Sequence, residues 1–190
     1  MNTLFISTYS DVITIGLLNN GKEITKKEKE SYRGHSELIV PTIDEILKEN
    51  HLTPKDLNEI IVVSGPGSFT GVRLGITVAK TLAYTLNIPI KEITSIEAIS
   101  ASINEENKII YIDDSKGKYI GEFQNNKLTN LFYLKEEDAK EYLNKTNLSI
   151  YETSNLNIES IYKYSLNIKT TPAHAVKAVY IKGIEALNGK

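Results

Sequence analysis

SGPGSFTGVRLGITVAKTLAY, residues 64–84, decides the fold, because an apolar strand, a glycine-rich turn and a small-residue helix are joined there. Ile60, Ile61, Val62 and Val63 lead into it, and consecutive β-branched aliphatics suit a parallel strand covered on both faces. Pro66 suits the start of a tight turn, and Gly65, Gly67 and Gly71 permit positive φ. The chain therefore reverses into a helix with Ser68 or Thr70 as N-cap. Along that helix Gly71, Gly75, Ala79 and Ala83 recur every fourth residue, so one stripe carries almost no side chain and admits a close neighbour. Val72, Leu74, Ile76, Val78, Leu82 and Leu86 widen the apolar arc, leaving Arg73, Thr77, Lys80 and Tyr84 as a narrow polar stripe. A helix covered on so many sides needs two neighbours. One is the chain's own sheet; the other is a second helix of this chain or of a partner subunit.

The loop does not match the known phosphate-binding patterns. Val72 and Arg73 follow Gly71 where a Walker A loop needs Lys and then Ser or Thr. Gly65, Gly67 and Gly71 are spaced one residue too far apart for the dinucleotide fingerprint, and Ser68 lacks the flanking pattern of a nucleophile elbow.

Upstream, residues 4–8 and 12–18 read as strands joined by a short turn, and Asn19-Asn20-Gly21 makes a hairpin into a charged third strand over residues 22–30. Residues 35–50 form an amphipathic helix with Leu38, Ile39, Thr42, Ile43, Ile46 and Leu47 on one face, bent at Pro41. Thr53-Pro54 starts a short helix before the signature strand, and residues 89–95 and 96–103 supply a further strand and helix. In the second half, residues 109–112, 119–123, 127–132 and 148–151 read as strands and residues 135–143 as a helix. Short helices are expected at residues 158–164 and 173–178. With 41% hydrophobic residues over 190 positions, the chain can bury a substantial core. No stretch is long enough to span a membrane, the N-terminus lacks a signal-peptide pattern, and there are no cysteines, so a cytoplasmic protein is expected. A net charge of −2 gives no electrostatic case for binding nucleic acid unaided.

GPGSFTGVRLGITVAKTLAY, with YRGHSELIVPTIDEIL and a strand pair before it, resembles the TsaB (YeaZ) family. These are bacterial partner subunits in threonylcarbamoyladenosine modification of tRNA. The resemblance implies an α/β, actin-like/sugar-kinase-like (ASKHA) fold of two lobes, here residues 1–107 and a shortened 108–190. Val179-Tyr180-Ile181-Lys182 resembles the family's closing motif. Actin-like sites resemble one another in placing an aspartate after the first strand, to hold metal and phosphates. Ser7 stands there instead. TsaD, the catalytic sister family, carries a histidine pair at helical spacing, whereas here His35 is followed one turn later by Ile39, with His51 and His174 remote. No catalytic, metal or cofactor residue is therefore expected, and Asp113 and Asp114 read equally well as turn residues. The resemblance implies a non-catalytic subunit that pairs with TsaD through a four-helix contact, works with the ATPase TsaE, and meets tRNA only through the complex. The expected contact residues are His35, Leu38, Ile39, Thr42, Ile43, Ile46, Phe69, Arg73, Gly75, Thr77, Ala79 and Lys80, with residues 65–68, Thr70 and Gly71 as a structural loop. Two other readings stay open: a weak actin-like ATPase or glycoprotease-like enzyme, and a homodimeric interaction protein.

Overall fold

The computed structural model describes residues 1–31, 34–152 and 155–181. Its first sheet has the order β3-β2-β1-β4-β5. β1 (Asn2–Ser7), β2 (Val12–Asn19) and β3 (Lys22–Glu30) form the expected antiparallel meander. β4 (Leu57–Val63) and β5 (Ile90–Ile93) add to β1 in parallel. The antiparallel opening and the parallel signature strand agree with the reading of the sequence. α1 (His35–Glu49) and α2 (Phe69–Leu86) pack side by side on one side of the sheet, α1 over β2 and β3, α2 over β1, β4 and β5. α3 (Ser95–Ala101) starts with a capping box in which Thr94 and Glu97 satisfy each other's backbone amides.

Crossing to the second sheet depends on a buried lysine. Lys108, fully buried at the start of β6 (Lys108–Asp114), donates to the carbonyls of Ile103 and Glu105 and, at 3.2 Å, to Asn126 Oδ1. Burial pulls its pKa below the ordinary lysine value. The sheet, ordered β8-β7-β6-β9, is completed by β7 (Gly117–Gln124), β8 (Lys127–Lys135) and the short β9 (Ser149–Tyr151). α4 (Glu136–Lys145) covers its outer face over a small core of Ile109, Ile120 and Ala139. Ile110, Ile112, Tyr119 and Phe123 join the main core.

The chain does not stay in the second lobe, and here the structure departs from the expected 108–190 unit. α5 (Ile158–Ser165) returns to the first sheet, where buried Ile158 fills the space above Gly16 of β2. Glu159 accepts from the Glu23 amide at 3.0 Å, and the Tyr164 hydroxyl donates to Glu97 at 2.8 Å. Thr171 bridges to Ile90 on the edge of β5, and the Val179 amide donates to the Ser64 carbonyl at 2.8 Å. The reason is geometric. α4 already covers the outer face of the second sheet, whereas the first sheet has a bare apolar side opposite α1 and α2, and an amphipathic α5 covers it. The helix expected over residues 173–178 is a single 3-10 turn, Ala173–Ala175. Lys182 of the closing motif lies outside the described residues.

A charge cluster ties β3 to α1. Lys27 Nζ lies 2.7 Å from Glu45 Oε1 and 2.6 Å from Glu49, and Lys29 lies 2.7 Å from Glu45 Oε2. Hydrogen bonding to Lys27, and next to Lys29, holds the Glu45 carboxyl at about 2 instead of 4.5. A depressed folded-state value contributes stability in full above the unfolded value, and that contribution fades as the pH falls through the folded one. Glu45→Gln should therefore flatten the loss of urea midpoint between pH 4.5 and about 2, an effect that added salt reduces. Parallel curves for variant and wild type would show that the cluster adds nothing.

Candidate functional site

The signature turn is built around the end of β1. Gly65 and Gly67 have φ of +95° and +150°, backbone that side chains disfavour, and the Gly65–Pro66 peptide is cis. Ser68 is the N-cap of α2, its hydroxyl accepting from the Gly71 amide at 3.2 Å, while the Ser68 amide donates to the Tyr9 carbonyl at 2.7 Å. Ser95 donates to the carbonyls of Gly65, through its amide, and Pro66, through its hydroxyl. A Cβ on Gly67 would overlap the Tyr9 carbonyl oxygen, which explains the glycine without any ligand. Thr70 and Gly71 lie inside the helix, so Gly71 is not a positive-φ residue; the Gly71 carbonyl instead accepts from Thr8 Oγ1 at 2.7 Å. The amides of Ser68 and Gly71 are already used by the chain itself.

Between the lobes lies a cleft of about 870 Å³, bounded by the Tyr9–Asp11 turn, the Pro66–Phe69 loop, the Ile112–Ser115 corner and the Val179–Ile181 segment. Ser7 is buried and its hydroxyl has no partner among the described residues. Asp113 pairs with Lys118, and Asp114 accepts from the Tyr133 hydroxyl at 3.2 Å. Asp113 therefore ties β6 to β7, and Asp114 ties the end of β6 to β8. Among the described residues no three His, Cys, Asp or Glu side chains gather as a metal site. His51 follows α1 and is exposed, as is His174 after α5; the side chain of His35 lies outside what is described.

The expected contact residues divide into two sets. Ile39, Thr42, Ile43, Ile46, Gly75 and Ala79 are buried within this chain, and Leu38 is half-buried against the same core. A Cβ on Gly75 would overlap Thr8 Oγ1, directly after β1. The small-residue stripe thus admits the chain's own strand, which corrects the expectation that it faces a partner. A hydrophobic face shows that a helix side is covered, and the sheet whose strand β4 runs straight into the loop covers it first. Phe69, Arg73 and Thr77 do face outward. Lys80 is only half-exposed, since its ammonium donates to the carbonyls of His174 and Val176 at 3.2 and 3.1 Å and so pins the closing segment to α2.

The outward face of this helix pair was missed in part by the sequence reading. Val40 on α1 is 57% exposed, Phe69 56% and Tyr84 80%. Val40 follows buried Ile39 directly, so only its place outside the i, i+3, i+4 pattern of Ile39, Ile43 and Ile46 marks it as surface. Tyr180 joins this face from the chain's far end, where no local periodicity could place it. No helix of the described residues is long and apolar enough to cross a membrane.

Comparison with known proteins adds to this geometry. The model of the family described as TsaD, tRNA N6-adenosine threonylcarbamoyltransferase, matches residues 22–150. The tRNA threonylcarbamoyladenosine biosynthesis protein TsaB of Bacillus subtilis is 38% identical over 102 residues, covering 54% of this chain and 44% of that protein. The TsaB of Escherichia coli is 34% identical over 89 residues, covering 47% and 38%. The chain thus spans about half the length of the curated relatives it matches. YeaZ from Pseudomonas aeruginosa has the same fold, with a TM-score of 0.77 at 17% identity over 94% of this chain and 100% of that one.

Proposed function

We propose, for a chain that belongs to the TsaD family and whose matched relatives carry the name TsaB, the role of a non-catalytic partner subunit in tRNA threonylcarbamoyladenosine biosynthesis. It pairs with a TsaD subunit through the outer face of α1 and α2, acts in the cytoplasm alongside TsaE, and reaches tRNA only within the assembly. One observation carries this reading: α1 and α2 pack against each other with their inner faces committed to the chain's own sheet, and yet Val40 on α1 and Phe69 on α2 stay more than half exposed. The cleft supports it from the other side. Ser7 offers no carboxylate where an actin-like site would hold metal and phosphates, and the amides of Ser68 and Gly71 are already used within the chain.

The test is association of the purified chain with the TsaD subunit of the same organism. Val40→Asp is expected to lower affinity by about 30-fold or more, since an unpaired carboxylate must be desolvated in the complex. Its effect on the unfolding midpoint of the isolated chain should stay within about 0.5 kcal/mol, as for an ordinary surface change. A wild-type chain that fails to bind TsaD, or that binds through a surface Val40→Asp leaves untouched, would refute the proposal. ATP hydrolysis by the isolated chain that survives repurification would favour an enzyme instead.

A further inference from the structure

We infer that Tyr180, brought back to α2 by the closing segment, positions the Arg73 guanidinium as a carboxylate-binding anchor on the partner face. The inference rests on the reading of that face proposed above.

Arg73 lies one turn after Phe69 on the exposed stripe of α2, and its guanidinium carbon sits 3.8 Å from the centre of the Phe69 ring. Its Nε–H donates to the Tyr180 hydroxyl at 2.6 Å, and the Tyr180 ring centre is 5.5 Å from the same guanidinium. The two rings lie 5.9 Å apart. A surface arginine ordinarily moves among many rotamers, and ordering it on binding costs affinity. Here the ordering is done before any partner arrives. The hydrogen bond uses Nε, and neither terminal nitrogen has a partner among the described residues. Among the described residues no carboxylate pairs with it, and α2 contains no acidic residue at all. An arginine flanked by two half-exposed aromatic rings has the composition of an interface hot spot.

Charge selects the occupant. Arg73 and Lys80 are the two cations of α2, and the Lys80 ammonium is already engaged by carbonyls, so Arg73 alone is left on this helix where a phosphodiester chain needs several cations. A polypeptide side chain delivering one carboxylate needs only the one Arg73 fork, and its apolar neighbours would cover Val40 and Phe69. The partner we infer is therefore a subunit that presents an Asp or Glu on its own helical face. Tyr180 is a positioning residue in this arrangement, acting through Arg73.

The experiment measures binding to immobilised TsaD of the same organism for the wild type and for Arg73→Gln, Arg73→Lys, Tyr180→Phe and Tyr180→Ala, across a series of salt concentrations. Arg73→Gln is expected to weaken binding by about 100-fold and to flatten its salt dependence, and Arg73→Lys to recover less than about a tenth of that loss, because an ammonium lacks the planar fork. Tyr180→Ala should weaken binding by about 10-fold through faster dissociation, and Tyr180→Phe by less, while both keep the wild-type salt slope because the charge remains. A merely structural Tyr180 would instead lower the melting temperature without this split. Wild-type binding that Tyr180→Ala leaves unchanged overturns this inference and leaves the proposed function standing; absent wild-type binding overturns both. Binding of free tRNA that Arg73→Gln abolishes would put a phosphate in place of the carboxylate and overturn the inference as well.

Discussion

Gly75→Leu is expected to destabilise the isolated chain by about 3 kcal/mol or more, at the upper end of what overpacking a core costs. Gly75 is buried in the middle of α2, and a Cβ there would collide with Thr8 Oγ1 at the end of β1. The larger side chain must push helix and sheet apart or displace Thr8. Displacing it breaks the 2.7 Å hydrogen bond from Thr8 to the Gly71 carbonyl, leaving a buried hydroxyl and a buried carbonyl to seek other partners, at about 1–3 kcal/mol for each group left unsatisfied. At roughly 2–4 °C per kcal/mol for a chain of this size, the melting temperature should fall by about 6 °C or more. Thr77→Leu provides the control. Two residues along the same helix but exposed, it should change stability by no more than about 0.5 kcal/mol. If Gly75→Leu kept the wild-type unfolding midpoint while association with TsaD disappeared, the small-residue stripe would have to face a partner after all.

That stripe shows where sequence ceases to determine structure. Strand, turn and helix over residues 57–86 were legible because each has a local cause: β-branched aliphatics for β4, glycines at positive φ for the turn, and a serine cap for α2. The inner face of α1 was legible as apolar for the same reason. What periodicity cannot say is whose atoms cover an apolar face, since a strand of the same chain and a helix of another subunit offer similar surroundings. The pattern of Ile43, Gly75 and Ala79 suits a partner's helix equally well, and the chain's own sheet holds them. The closing segment was illegible for a different reason. Lys80 reaches the carbonyl of Val176 and Arg73 reaches Tyr180 across about a hundred residues, and such pairings leave no local pattern. The missed positions, Val40 and Tyr180, matter most on the outward face because no core requirement fixes them.

Lys91→Met should cost about 3–5 kcal/mol, the usual penalty for removing one partner of a buried ion pair. Lys91 on β5 and Glu59 on β4 meet at 2.8 Å with side chains only 10% and 6% exposed. The Thr3 hydroxyl, at 3.5 Å, is the other contact available to the Glu59 carboxylate and too distant to replace an ammonium. Methionine matches the lysine stem in length, so the packing survives and the loss falls on the stranded carboxylate. The double variant Glu59→Leu with Lys91→Met removes that carboxylate too, and is expected to recover most of the stability, since well-packed apolar replacements of buried pairs are often neutral or better. Comparing the two single variants with the double one isolates the coupling between the side chains. Unfolding midpoints in urea decide the matter: a single variant costing less than about 1 kcal/mol, or a double variant no more stable than Lys91→Met alone, would mean that solvent reaches the pair and that β4 and β5 are held by their backbone ladder and apolar contacts only.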